Sequence, residues 1–168
     1  MSTQLYSLLD IVEEITKENK APCKKTLQKI VYLVEEKNFD LGFHYVIHYY
    51  GPYSSDLDFT VQKLAWDGML KIDIREDGHI ISKNETDCND QEHNRNDKML
   101  DIVRQFAKET PSQLELLATT LFVERNSINK TKEKIMHGVT KIKGDKYDKN
   151  TIDHAIDILN KEKYFCIS

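Results

Sequence analysis

A chain of 168 residues, 39% hydrophobic and 31% charged, describes a globular protein able to bury roughly 70% of its unfolded surface, as one domain or as two small ones. No apolar run approaches the roughly 20 residues that span a bilayer, which excludes membrane insertion. The net charge of −4 is uneven, with −3 over residues 1–83, −4 over 84–97 and +3 over 98–168, so any nucleic-acid contact belongs to the last third.

Leu5, Leu8, Leu9, Val12 and Ile15 recur at three- and four-residue steps and predict a first helix, with Asp10, Glu13, Glu14 and Lys17 largely outside the buried face. Ser2 or Thr3 suits its start. Asn19-Lys-Ala-Pro22 ends it, because proline disfavours helical geometry in the residue before it. A second helix is predicted over residues 24–37, with Leu27, Ile30, Val31 and Val34 inward and Lys24, Lys25, Gln28 and Lys29 mostly off that stripe. These lysines stand where the helix dipole prefers anions, so they are either solvated surface charges or a point of contact for phosphate or an acidic partner.

Residues 43–50 are aromatic and β-branched and read as a strand, with Phe43, Tyr45, Ile47 and Tyr49 on one face and His44, Val46, His48 and Tyr50 on the other. On a strand His44 and His48 begin roughly 13 Å apart, too far for one metal ion. Gly51-Pro52 is expected to make the turn. Ser55 with Asp58 three residues on opens a third helix in a capping-box-like way; Leu57, Val61 and Leu64 form its inner stripe, and Asp67-Gly68 stops it. Trp66 reads as a packing anchor. A hairpin follows over residues 71–83, in which Ile72 and Ile74 alternate with Asp73 and Arg75, Asp77-Gly78 supplies the turn, and Ile80-Ile81 begins the return.

Residues 84–97 are polar and acidic without an apolar period, as in a flexible connection or a surface loop. The rest of the chain is helical in pattern. Leu100, Val103, Phe106 and Ala107 mark one helix, and the capping box Thr110-Pro-Ser-Gln113 opens another that buries Leu114, Leu117, Ala118, Leu121 and Phe122. Ile135, Val139 and Ile142 give a stripe before Gly144, and Asp148 caps a last helix with Ile152, Ala155, Ile156 and Leu159 inward.

The expected fold is α+β and mainly helical: a winged-helix-like domain over residues 1–83, an acidic linker or loop over 84–97, and a helical C-terminal region over 98–168. Cys23, Cys88 and Cys166 are odd in number and far apart, with no CxxC or Cys/His pair, so they read as reduced thiols in a cytoplasmic protein. Met1-Ser-Thr-Gln-Leu has neither the basic start nor the apolar core of a secretory signal. No P-loop, dinucleotide fingerprint, HExxH or nucleophile-base order is present, so neither a cofactor nor a metal nor catalysis is expected.

Lys25-Thr-Leu-Gln-Lys-Ile-Val-Tyr-Leu33, the aromatic strand and Tyr50-Gly-Pro-Tyr-Ser-Ser-Asp-Leu57 resemble the signature of the uncharacterised bacterial YwgA-like proteins and, more distantly, the Panacea (SocA-like) antitoxin domain. Leu114-Glu-Leu-Leu-Ala-Thr-Thr-Leu121 and Lys141-Ile-Lys143 extend the YwgA-like resemblance. The Panacea resemblance implies a non-catalytic protein that recognises and neutralises a toxin. His48-Tyr49 stands where antitoxin Panacea domains tend to carry Ala-Trp.

Two surfaces follow from the charges. A protein partner is expected at Lys24, Lys25, Lys29, Asp56, Lys63 and Asp67. Nucleic acid is the alternative partner, at Lys141, Lys143, Lys146 and Lys149, because residues 130–149 carry seven lysines against three acids. The helix before the ribbon, which a winged helix presents to the major groove, offers Asp56, Asp58 and Asp67 against Lys63 and so opposes DNA at that face.

Overall fold

The computed structural model describes residues 3–18, 22–76, 78–84 and 94–167. The elements run α1 (Thr3–Glu18), α2 (Lys24–Glu35), β1 (Val46–His48), β2 (Gly51–Tyr53), α3 (Ser55–Trp66), β3 (Leu70–Arg75), β4 (Gly78–Lys83), α4 (Asp97–Phe106), α5 (Pro111–Arg125), α6 (Lys132–Lys143), a 3-10 turn (Gly144–Lys146) and α7 (Lys149–Lys161). The fold is α+β and mainly helical, with two antiparallel hairpins, β1–β2 and β3–β4. Strand β4 packs on α1 and α2, and β3 packs on α3, so the ribbon lids the first three helices.

Helix α5 is the hub. Its run from Leu114 to Leu121 is buried on every side, Glu115 and both threonines included, because α2, α6, α7 and β2 surround it. A helix so enclosed needs no polar face, which is why its residues lack a one-sided pattern. The capping box at Thr110 and Gln113 forms as expected, as does the Asp148 cap of α7, and Gly144 ends α6 with φ +59°. The apolar stripes of α1, α2, α3, α4 and α7 also lie inward, with Leu5 half-buried.

Several expectations are corrected. Asp10 and Glu14 are buried rather than outside the α1 stripe, because Arg95 and Arg104 cover them, with Arg104 Nε 2.6 Å from Glu14 Oε1. Gln28 is buried too: its amide exchanges two hydrogen bonds with the backbone of Ser54, at 2.8 and 2.9 Å. The strand expected over residues 43–50 shrinks to Val46–His48, since Glu35 Oε1 accepts the backbone N–H groups of Leu41 and Phe43 at 3.0 Å each and holds that stretch against α2. The turn lies at Tyr49-Tyr50, two residues earlier than expected, with His48 opposite Gly51 and Pro52 within β2.

The N-cap of α3 is Ser54, not Ser55; its hydroxyl accepts from Leu57 N at 3.2 Å, while Asp58 accepts from the Tyr53 hydroxyl. Trp66 is 78% exposed and anchors no core, because it stands on the α3 face opposite Leu57, Val61 and Leu64. In the β3–β4 hairpin Gly78 has φ +136° but is already a strand residue opposite Arg75. Asp77, most of the acidic 84–97 stretch including Cys88, Ser2 and the Asn19-Lys-Ala stop lie outside the described residues.

Candidate functional site

The lysines at the start of α2 line a cleft of about 360 Å³ between that helix, the β1–β2 hairpin and the tip of the β3–β4 ribbon. Cys23 and Gln28 form its floor with Lys24, Lys25 and Lys29. Its walls are His48, Tyr50 and Tyr53 from the first hairpin and His79 from the second. Lys24 pairs with Asp58 at 2.6 Å, and the Lys25 ammonium stands 3.7 Å over the Tyr50 ring. Lys29, expected off the buried stripe, is only 3% exposed and donates to the Pro52 carbonyl at 2.5 Å. The Cys23 side chain makes no cap for α2.

Behind Tyr50 the cleft is backed by a second cationic layer. Lys143 Nζ donates to the Tyr49 carbonyl at 2.7 Å and to Glu115 Oε1 at 2.8 Å, and Lys146 reaches the same carboxylate oxygen at 2.7 Å. Burial alone would raise the Glu115 carboxyl, yet the hydrogen bonds from Lys143 and Lys146 bring it below its ordinary value. Burial lowers the Lys29 ammonium, repulsion from Lys143 and Lys25 outweighs the attraction of Glu115, and the result is a pKa brought from 10.5 to about 8.

The structure therefore merges residues of the two expected surfaces, setting Lys25 and Lys29 beside Lys143 and Lys146. Lys143 is a buried clamp rather than a surface charge, because Glu115 and the Tyr49 carbonyl draw it inward. Lys141 and Lys149 stay exposed and outside the cleft. Asp56 and Lys63 are exposed on α3 and Asp67 just after it, and none of the three lines the cleft; Asp56 lies 3.7 Å from His44 Nδ1. Glu115 was not singled out from sequence; an acid inside the apolar run Leu114–Leu117 was its signal, since such an acid needs a buried cation.

A second surface is apolar. Phe59 and Trp66 are 64% and 78% exposed on α3, and Ile74 is 79% exposed on β3. Between helix and ribbon lies a shallow groove of about 500 Å³, lined by Gln62, Ala65, Trp66, Ile72 and Ile74. Among the described residues no three His, Cys, Asp or Glu side chains group to hold a metal ion, and no helix is long and apolar enough to cross a membrane.

No protein-family model matches the chain. Over 149 residues, which are 85% of this chain and 88% of its counterpart, it is 26% identical to the uncharacterised protein YwgA of Bacillus subtilis (strain 168). That similarity spans both halves of the fold and supports a YwgA-like relationship.

Proposed function

We propose that this chain is a non-enzymatic, protein-binding regulator, an antitoxin-like protein or adaptor, that docks its partner on the outer face of α3 and the neighbouring β3. The observation that carries this reading is the exposure of Trp66 and Ile74 at one groove, with Phe59 exposed further along the same face of α3. Large aromatics left in water form no part of the core, and Trp in particular contributes most when a partner desolvates it. Phe59, Lys63 and Trp66 follow at four- and three-residue steps, so one helix face presents aromatic, cation and aromatic in a row. Asp56 and Asp67 sit at the ends of that row.

The same charges weigh against the DNA-binding alternative at this face, where two acids stand against one lysine beside a polyanion. In the other basic stretch Lys143 and Lys146 are engaged by Glu115, which leaves fewer ammonium groups for phosphates.

The test is affinity capture of the tagged protein from its native cells, with and without nuclease, in parallel with a Phe59→Ala/Trp66→Ala double variant. The expected result is a stoichiometric protein partner that survives nuclease and is lost from the variant. Capture of nuclease-sensitive nucleic acid alone, or of a protein that the variant retains equally, overturns the reading.

A further inference from the structure

We infer that the cleft at the start of α2 is a binding site for a phosphate group, carried by a small phosphorylated molecule or as the free ion, with the ammonium groups of Lys25 and Lys29 as its ligands. This site is separate from the α3 face and stands whether or not a protein docks there.

Its first support is shape. A cleft of about 360 Å³ falls in the range of small-molecule sites, and four of its wall residues are aromatic or imidazole rings against which an organic group can lie. The second support is charge. Lys25 and Lys29 line the cleft, Lys25 and Lys146 both approach the Tyr50 ring, and the Glu115 carboxylate behind it is already shared by Lys143 and Lys146. Lys24 is neutralised separately by Asp58. Lys29 is 3% exposed, and among the described residues no carboxylate lies within ion-pair distance of it. Buried positive charge without a counter-ion is costly, and a dianion in the cleft removes that cost.

The third support is local. Lysines at the first turn of a helix oppose its dipole, a conflict that disappears when an anion stands between them and the free N–H groups of that turn. The placement of Lys24 and Lys25, unfavourable for an isolated helix, becomes favourable for a helix holding phosphate.

The experiment is titration of the full chain with inorganic phosphate, AMP and adenosine, followed by amide chemical shifts. Saturable shifts centred on the first turn of α2 are expected for phosphate and AMP and none for adenosine. Tighter binding of AMP than of phosphate assigns the site to a phosphorylated molecule; equal binding assigns it to the free ion. Lys25→Gln is expected to weaken binding by about tenfold or more, since it removes one charge-assisted contact, while Lys141→Gln leaves it unchanged. Lys25 is exposed, so its variant folds even if a Lys29 variant does not. Absence of saturation by about 10 mM, far weaker than a built phosphate site, overturns the inference. So does adenosine binding as tightly as AMP, or affinity that Lys25→Gln leaves intact.

Discussion

Lys143 Nζ on α6 lies 2.8 Å from Glu115 Oε1 on α5, an ion pair whose side chains are 2% and 6% exposed. The same ammonium holds the Tyr49 carbonyl, so the pair ties the β1–β2 hairpin to the helical half. Glu115→Gln strips the carboxylate from Lys143 and Lys146 together. A loss of about 3–5 kcal/mol is expected, as when one partner of a buried pair is removed. Urea unfolding measures it, and Glu115→Leu/Lys143→Met should lose less than the sum of the two single variants. A cost below about 1 kcal/mol for Glu115→Gln would place the pair among surface-like contacts.

Gly51 has φ +89°, and a Cβ built there would stand 2.8 Å from Thr119 Oγ1 and 3.4 Å from Lys29 Cε. Gly51→Ala therefore meets both backbone strain and a clash with α5. A destabilisation of about 2–4 kcal/mol is expected. Adding Thr119→Ala should recover part of it, because that removes the clash and leaves the strain; full recovery would mean the backbone carries no cost.

Lys29 titrates near 8 when folded and near 10.5 when unfolded. Between these values the unfolded chain keeps a proton that the folded chain has released, so stability rises with pH across that window. Unfolding midpoints in urea at pH values between 8 and 10.5 test this against Lys29→Met, in which that component of the rise should vanish. An equal rise in the variant would assign it to another group.

Burial alone would raise the Glu13 carboxyl, but Lys17 at 2.5 Å and Lys83 and Arg95 at 3.1 Å each hold it at about 2. Its folded pKa is thus below its unfolded value of 4.5. The stability it contributes is complete above 4.5 and is lost as pH falls from there toward 2. Acid unfolding of Glu13→Gln should be shallower over that interval than that of the parent chain.

Trp66→Ala is expected to change stability by no more than about 0.5 kcal/mol, as for a surface position. A loss of several kcal/mol in thermal or urea unfolding would show the indole packed in solution and would remove the ground for docking at α3.

Much of the helical framework was legible because its signals are local. The Thr110–Gln113 box, the Asp148 cap and the stripes of α1, α2 and α7 depend on residues three or four apart, which interact whatever surrounds them. The β1–β2 hairpin was less legible. Its aromatic run suits a strand throughout, but the Glu35 carboxylate from α2 claims the backbone of Leu41 and Phe43 and leaves three residues to pair.

The sequence by itself determined the α+β class, the order of the helices, the β3–β4 hairpin and most helix ends. It also placed lysines at the start of α2 and in the 130–149 stretch. Only the tertiary structure decided that Lys29 and Lys143 are buried, that Trp66 is not, and that Lys143 and Lys146 share the Glu115 carboxylate behind a cleft lined by Lys25 and Lys29. The physical reason is that periodicity says which face of a helix is apolar, whereas burial depends on how many neighbours arrive from elsewhere. Helix α5, packed on all sides, draws in lysines that periodicity alone would leave in water.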